Sequence, residues 1–193
     1  MKLLRGIMRI IAGKYRGLKL ETFEADNIRP TLDRAREGIF NKVQFNIPNS
    51  KCLDLFGGTG AISIEFISRG AGYVVTVDNN EKSCKLINQN FAKIDKKANL
   101  IKSDYLLACE KLKNNYFDII FLDPPFATDF GMLAIKKIIE CNLLCDDGII
   151  IFEHSSNIKY FDHDFLSNLN LELLDTKKYG AITVDYIAKV REE

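Results

Sequence analysis

This sequence has few histidines, almost no net charge and no long apolar run. No apolar run in the 193 residues approaches the roughly 18 needed to cross a bilayer, so no membrane-spanning helix is predicted. The stretch from Met1 to Met8 is too short in apolar residues for a secretory signal. With only two histidines and no second ligand pair at metal-binding spacing, Cys141 and Cys145 are weak evidence for a metal site, and none is predicted.

The five cysteines form an odd set scattered through apolar stretches: Cys52, Cys84, Cys109, Cys141 and Cys145. This pattern predicts free thiols packed as small hydrophobic groups in a reducing cytoplasm. The hydrophobic fraction of 47% and charged fraction of 27% are those of an ordinary globular protein, and neither repeats nor low-complexity segments interrupt them.

The balance of charge is even overall but uneven along the chain. Lys and Arg number 27 against 26 Asp and Glu, so no global basic field indicates a nucleic-acid partner. Residues 1–42, however, hold ten Lys and Arg against five Asp and Glu. The basic charge is therefore concentrated in one N-terminal segment.

This N-terminal segment predicts a small appendage over residues 1–48, ahead of a main domain over residues 49–193. Residues 7–24 predict two short strands around Gly13 to Gly17. Pro30 then breaks the chain, and Thr31 or Asp33 is placed to cap a helix. Arg34 would face away from the buried stripe of this helix, which consists of Leu32, Ala35, Ile39 and Val43.

From residue 51 onward, short apolar strands alternate with amphipathic helices. The predicted strands are Cys52–Phe56, Tyr73–Val77, Asn99–Lys102, Phe117–Leu122 and Gly148–Phe152, followed by Leu169–Leu174 and Ala181–Val190. The predicted helices are Ala61–Ser68, Glu81–Lys93, Tyr105–Lys113 and Met132–Glu140. Near-continuous apolar strands between helices predict an α/β fold whose mostly parallel sheet is covered on both faces. The last two strands have no helix between them and predict an antiparallel hairpin at one edge.

Carboxylates and glycines follow the predicted strands where ligands bind in such folds. Asp54 precedes the sequence Gly57-Gly58-Thr59-Gly60, and about 20 residues later Asp78 is placed to accept hydrogen bonds from a ribose. Glycines alone would also suit any tight strand-to-helix turn, but the added carboxylate favours nucleoside binding. For Asp104, a plain helix N-cap is an equal alternative.

The spacing of the glycines indicates which nucleoside cofactor the site would bind. A dinucleotide fingerprint fails at its third glycine, where Ser63 stands, and there is no Gly-Lys-Ser/Thr for a triphosphate. The segment from Asp54 to Ala61 instead resembles the first motif of class I methyltransferases, which bind S-adenosylmethionine. A cationic sulfonium cofactor suits a site ringed by carboxylates. The predicted cofactor site comprises Thr31, Asp54, Phe56, Gly58, Gly60, Asp78, Asn79, Asp104 and Tyr105.

The segment Asp123-Pro124-Pro125-Phe126 is the sharpest chemical signal in the sequence. Two prolines after an apolar strand fix a turn that has acceptors but no donors. A carboxylate, a carbonyl and an aromatic face together suit an exocyclic amine on a planar base. A strand-to-turn segment with a packing aromatic is the plain structural alternative. The tetrapeptide resembles the Asp/Asn-Pro-Pro-Phe/Tyr motif of methyltransferases that act on amines of nucleobases or glutamine amides.

A narrower resemblance begins at Met8. The segments Met8–Leu20 and Arg29–Asn41, with later matches such as Ser68–Ala71, are similar to the RsmD family of 16S rRNA guanine-N2 methyltransferases. The resemblance implies the class I methyltransferase fold, S-adenosylmethionine as cofactor, and the N2 amine of a guanine in 16S rRNA as acceptor. The implied partner is a protein-bound form of the small ribosomal subunit.

This resemblance assigns roles to the remaining polar residues. The predicted phosphate contacts are Arg9, Lys14, Arg16, Lys19, Arg34 and Arg36, although a solvated surface charge is the alternative for each one singly. Thr31 and Glu37 are candidates for closing the site, and Glu153 for facing the base. His154 and His163 are expected to be structural or surface groups.

Three other functions stay open from sequence. They are amino methylation of another acceptor such as adenine N6 in DNA or a glutamine amide, a noncatalytic RNA-binding module of the same fold, and a nicotinamide-dependent dehydrogenase. Amino methyltransferases with other acceptors lack the Arg-Pro-Thr…Asp-Arg…Arg-Glu stretch present here. A noncatalytic RNA-binding module does not account for an intact Asp123-Pro124-Pro125-Phe126.

Overall fold

The structure is a computed structural model that describes residues 8–23, 30–125, 128–158, 160–161 and 164–191, with the backbone alone for residues 30–33. Its helices are α1 (Pro30–Lys42), α2 (Ala61–Ser68), α3 (Glu81–Ala92), α4 (Tyr105–Lys111) and α5 (Phe130–Glu140). Its strands are β1 (Lys51–Asp54), β2 (Tyr73–Asp78), β3 (Leu100–Lys102), β4 (Phe117–Leu122), β5 (Leu144–Ser155), β6 (Leu171–Tyr179) and β7 (Ile182–Lys189).

The strands of the described chain form one seven-stranded sheet in the order β3-β2-β1-β4-β5-β7-β6. Strands β1 to β5 are mutually parallel, whereas β7 runs antiparallel to both β5 and β6. The predicted mostly parallel sheet with an antiparallel edge hairpin is confirmed. Because the chain order reverses between β1 and β4, their carboxyl ends open a crevice at the centre of the sheet.

Strands β5 and β6 differ from their predicted limits. Strand β5 extends beyond Gly148–Phe152 at both ends, because Leu144 pairs with Phe117 and the residues up to Ser155 pair with β7. Strand β6 starts later than predicted, because residues 167–169 form a 3₁₀ turn, and it continues to Tyr179 opposite β7.

Apolar side chains cover both faces of the sheet. Alternate residues of a strand point to opposite faces. Ile120 and Ile150 therefore join the cluster under α4 and α5, whereas Ile119 and Ile151 join the cluster under α1 and α2. A third cluster joins the N-terminal residues to α2 and α3. Both sheet faces are thus buried, as the near-continuous apolar strands predict.

Helix α1 begins earlier than the cap prediction allows. It starts at Pro30, whose fixed φ suits the first helical turn, so the predicted caps at Thr31 and Asp33 are wrong. Ala35, Ile39 and Val43 are buried as predicted. The side chain of Leu32, the fourth member of the stripe, lies outside the described residues.

Residues 8–20 form a hairpin with one bridged pair, Arg9 with Lys19, in place of the two predicted strands. The backbone amides of Ile11 and Ala12 donate instead to the Glu65 carboxylate, at 2.8 and 3.0 Å. Helix α2 therefore anchors this part of the hairpin through Glu65.

The tip of this hairpin is fixed to the end of the same helix. The amides of Lys14 and Tyr15 donate to the carbonyl and hydroxyl oxygens of Ser68. A Cβ at Gly13 would collide with the Ser68 carbonyl, and Gly13 has φ +81°, so this close approach requires glycine. Fully buried Glu65 also accepts a hydrogen bond from Arg69 at 2.8 Å, which offsets the cost of its burial.

All five cysteines are free, and four of them are buried. In the described ranges, no helix has the length and apolar character to cross a membrane, and no group of three or more His, Cys, Asp or Glu is arranged to hold a metal.

Candidate active site

A cavity of about 600 Å³ lies at the carboxyl ends of β1, β2 and β4, where the sequence places its carboxylates and glycines. Among the predicted site residues, those that line it are Phe56, Gly58, Asp78, Asn79, Asp104, Tyr105, Asp123, Pro124 and Pro125. Two stretches nearly 70 residues apart thus meet in one cavity. Phe126 and the side chain of Thr31 lie outside the described residues.

The glycine-rich loop after β1 leaves room for a ligand at Gly58. A Cβ built there would enter open space, and its φ of +53° is one that glycine adopts without strain. The Gly58 amide donates to the Asp78 carboxylate at 2.8 Å, which fixes the loop against the end of β2. Gly60 does not line the cavity; with φ +80°, it turns the chain into α2.

Asp78 holds two backbone segments and still faces the cavity. Its Oδ2 accepts the Gly58 amide, and its Oδ1 accepts the Asn80 amide at 2.8 Å. Each carboxylate oxygen has a further acceptor position. Asp78 is therefore held in a fixed orientation with acceptor capacity for the hydroxyls of a ribose.

Asp54, in contrast, does not line the cavity. Its carboxyl group is fully buried under the loop, where Oδ2 accepts a hydrogen bond from the Ser63 hydroxyl at 2.7 Å. Burial, with additional contributions from the charges of Asp123 and Asp78, raises the pKa of Asp54 to about 7. Asp54 supports the loop from below, so its predicted contact with a cofactor is indirect.

An aromatic wall bounds the cavity on the side of α4. The ring centroids of Phe56 and Tyr105 are 5.2 Å apart, and those of Tyr105 and Phe130 are 5.3 Å apart. Asp104 lies at the edge of this wall, and one of its oxygens accepts the Leu106 amide at 2.9 Å. Asp104 is thus both the N-cap of α4 and a cavity residue, so the two alternatives that the sequence offered for it hold together.

The turn after β4 presents acceptors to the same cavity. The Thr128 hydroxyl donates to the Pro125 carbonyl at 2.8 Å. Within the described part of the chain, neither the Pro124 carbonyl nor the Asp123 carboxylate receives a hydrogen bond. The turn therefore offers two acceptors to a ligand.

Asp123 lies beside a second acidic residue, Glu153, which also lines the cavity. The Asp123 carboxyl is open to the cavity, but protein surrounds it and removes much of its solvation. This desolvation, together with the Glu153 charge, raises the pKa of Asp123 well above the ordinary carboxyl range. Burial likewise raises the pKa of Glu153 to about 7, partly opposed by the Arg36 charge.

The basic residues of the N-terminal region divide into two groups. Those exposed at the surface are Arg9, Lys14, Arg16, Lys19 and Arg34. Arg36 is 7% exposed, and its guanidinium donates to the Arg9 carbonyl at 2.7 Å. The predicted phosphate contact by Arg36 is therefore wrong: α1 packs this residue inward, toward Glu153. Glu37 is exposed on the same helix.

Sequence reasoning left out two contributors to the site. Phe130 reaches the cavity from the start of α5, and Glu65 fixes the basic hairpin. A signal for Glu65 was present, because it is the one charged residue in the apolar sequence of α2. His154 is buried, with Nε2 2.9 Å from the Asp185 carboxylate, in a structural role. His163 lies outside the described residues.

The fold and this cavity define the class of protein, that of the class I methyltransferases. The structure superposes on the yhhF protein of Escherichia coli with a TM-score of 0.80 and 26% identity, covering 96% of this chain and 100% of that one. It also resembles SMU.776, solved in complex with SAH, with a TM-score of 0.68 and 19% identity over 89% of this chain and 53% of the other.

Sequence comparison then identifies the family. The family model described as "Conserved hypothetical protein 95" matches residues 8–188. The chain is 31% identical to the "Ribosomal RNA small subunit methyltransferase D" of Haemophilus influenzae, covering 93% of this chain and 92% of the relative. The chain belongs to this family, the RsmD family, as its motifs indicate.

Proposed function

We propose that this protein transfers a methyl group from S-adenosylmethionine to the exocyclic N2 amine of a guanine in 16S ribosomal RNA of the small subunit. One observation carries the proposal: the Asp123-Pro124-Pro125 turn and the glycine-rich loop line a single cavity. A noncatalytic RNA-binding module would not require a carboxylate with free acceptor capacity beside a nucleoside-sized cavity.

The residues on the β2 side of the cavity fit the cofactor. Asp78 would accept hydrogen bonds from the ribose hydroxyls, and Gly58 leaves space for close approach. The apolar faces of Phe56 and Tyr105 suit the adenine ring. When bound, S-adenosylmethionine supplies an electrophilic methyl group attached to a sulfonium, and the carboxylates around the cavity complement that positive charge.

The residues on the β4 side would hold the acceptor amine. Guanine N2 is a poor nucleophile, because its lone pair is delocalised into the ring. Asp123 and the Pro124 carbonyl would each accept one of its hydrogens, favour a pyramidal nitrogen and aim its lone pair into the cavity. Such positioning contributes several kcal/mol, up to about 7–11 in the best intramolecular cases. As the amine gains a methyl group it loses a proton, which the carboxylate of Asp123 can accept.

The ribosomal substrate is supported by the relatives and by the surface. The Haemophilus influenzae and Escherichia coli relatives are both named "Ribosomal RNA small subunit methyltransferase D". The basic hairpin borders the glycine-rich loop, since the Thr59 hydroxyl lies 3.4 Å from the Met8 sulfur. RNA phosphates bound at this end of the hairpin would lie beside the cavity, whereas the tip with Lys14 and Arg16 would extend the contact along α2 to Ser68.

The direct test is to map N2-methylguanine in ribosomal RNA from cells with and without the gene. We expect one 16S guanine to lose its methyl group in the deletion strain. The purified protein should then restore it on small-subunit particles from that strain, with S-adenosylmethionine as the methyl source. An unchanged N2-methylguanine map, together with N6-methyladenine or methylglutamine lost instead, would overturn the proposal in favour of another acceptor.

The hairpin assignment predicts a salt effect. Replacing Lys14 and Arg16 together with alanine should weaken RNA binding, because two phosphate contacts with their released counterions are lost. We expect the slope of log affinity against log salt concentration to become shallower by about 1.4–1.8. The measurement is a salt titration of binding to small-subunit particles, with SAH affinity determined in parallel.

The matched control removes two exposed lysines from other surfaces, Lys136 and Lys178. The Lys136/Lys178 variant loses the same net charge but no hairpin contact, so its slope should equal that of the wild type. An effect of net charge alone would change the slope in both variants. Equal slopes for the wild type and the Lys14/Arg16 variant would show that Lys14 and Arg16 do not bind phosphate.

A further inference from the structure

The register of the sheet places two carboxylates side by side. Leu122 of β4 pairs with Phe152 of β5, so the next residues, Asp123 and Glu153, emerge from adjacent parallel strands about 4.8 Å apart. Glu153 lies within β5 and follows Phe152, which faces α4 and α5, so Glu153 points toward the face that α1 covers. Asp123 directly follows the end of β4, and both side chains line the cavity.

Glu153 is buried without a donor of its own. It is 9% exposed and lines the cavity, yet no residue in the described ranges donates a hydrogen bond to its carboxylate. Because Glu153 lines the cavity, the acceptor positions of its carboxylate are available to a ligand. The Asp123 carboxylate beside it also lacks a donor, so this corner of the cavity holds two adjacent free acceptors.

The buried guanidinium of Arg36 gives Glu153 a specific environment. Arg36 is held in place by the Arg9 carbonyl at 2.7 Å, and its charge favours the ionised form of Glu153. An ionised carboxylate is a pure acceptor, whereas a protonated one can donate. Arg36 on helix α1 thus partly opposes the effect of burial, and Glu153 is an acceptor at pH values above about 7.

Two adjacent acceptors complement a ligand edge that carries two adjacent N–H donors. The Watson–Crick edge of guanine has such donors at N1 and N2, whereas adenine presents an acceptor at N1 beside its N6 amine. We propose that Glu153 accepts a hydrogen bond from guanine N1–H while Asp123 binds the N2 amine, so that Glu153 is a specificity residue for guanine. This inference rests on the proposed function and adds to it the origin of base selection.

Three neighbouring groups influence how the Asp123–Glu153 pair responds to pH. Arg36 faces Glu153 from α1, Tyr186 faces it from β7, and Asp54 from β1 faces Asp123. The raised pKa values of Asp123 and Glu153 mean that acid protonates the pair and removes acceptors from the base. The methylation rate should therefore rise with pH as the pair ionises, with the Glu153 step near pH 7. Replacing Glu153 with glutamine removes a neighbouring negative charge, lowers the pKa of Asp123 and moves this rise to lower pH.

The base preference provides the decisive experiment. The target guanine in reconstituted small-subunit RNA is replaced by 2-aminopurine, which keeps the N2 amine but has an acceptor at N1. The wild type should methylate guanine about 10²-fold or more faster than 2-aminopurine, in kcat/KM, because the Glu153 carboxylate repels the N1 lone pair. The Glu153→Gln variant should reduce this preference to about 10-fold or less, since an amide can donate to N1.

Two variants serve as controls. Glu153→Asp keeps the charge and should retain most of the base preference, and Glu140→Gln changes an exposed glutamate at the end of α5 and should behave as the wild type. Comparing the ratio of the two substrates among variants cancels the loss of guanine O6, which affects all of them alike. Thermal unfolding of each variant verifies that it is folded.

The outcomes separate this inference from the proposed function. A wild type that methylates no guanine in the particles overturns the proposed function. A wild type that methylates guanine and 2-aminopurine at equal rates overturns the role of Glu153, whether or not the glutamine variant folds. A preference that the glutamine variant retains in full also overturns it, whereas a reduced preference restored by aspartate supports it.

Discussion

Replacing Asp123 with alanine should reduce methyl transfer by about 10³-fold, because it removes the carboxylate that orients the amine and can accept its proton. The measurement is single-turnover transfer of labelled methyl groups to small-subunit particles. Asp123→Asn keeps one acceptor oxygen, and asparagine stands at this position in related amino methyltransferases, so we expect it to lose only about 10- to 10²-fold.

The alanine variant should otherwise resemble the wild type. SAH affinity, measured by calorimetry, should be largely unchanged, because Asp78 and the glycine-rich loop are intact. The pKa of Asp123 is raised in the folded protein, so keeping this group folded costs stability once the pH exceeds the ordinary carboxyl range. At pH 8 the Asp123→Ala variant should therefore have a free energy of unfolding no lower than that of the wild type. Asp146→Ala, at a 98% exposed side chain, is the matched control. Wild-type turnover in the Asp123→Ala variant would refute the assigned role.

The features that the sequence predicts well are those set by local pattern. The alternation of apolar strands with helices specifies a covered parallel sheet, and carboxylates at strand ends must then converge. Asp78 and Asp123 were placed correctly in one cavity because each directly follows or ends a strand. No longer-range information is needed for that step.

Features that depend on tertiary contacts were not predictable from pattern. Arg36 lies beside the apolar stripe of α1, and its burial depends on how that helix packs against the sheet. The hairpin is anchored by Glu65, 54 positions from Ile11, which accepts the amides of Ile11 and Ala12. Arg36 and Glu65 are both charged residues among apolar ones. Such a pattern in the sequence indicates that the charged residue is buried, but it does not identify the partner.

Asp54 illustrates a different limit. Its position at the end of β1 predicts a cavity residue, but only the structure shows that the loop turns over it and that Ser63 takes its oxygen. A strand end restricts a side chain to one edge of the sheet. The path of the following loop decides whether that side chain faces the ligand or supports the loop from beneath.

Asp78 is expected to have the largest effect on cofactor binding. Asp78→Ala removes the acceptors for the ribose and also leaves the amides of Gly58 and Asn80 without their partner. Hydrogen bonds to a charged group contribute about 1.5–3 kcal/mol each, so losing two should weaken SAH binding by at least about 10²-fold. Calorimetric titration with SAH measures this directly.

The conservative variant distinguishes ribose binding from a merely structural role. Glutamate carries the same two acceptor oxygens on a side chain one methylene longer and can still hold a ribose, so Asp78→Glu should bind SAH within about tenfold of the wild type. The control, Asp147→Ala, removes an 86% exposed carboxylate and should leave SAH affinity unchanged. If a folded Asp78→Ala protein bound SAH with wild-type affinity, the cofactor would not lie against β2, and the arrangement of donor and acceptor across the cavity would have to be reversed.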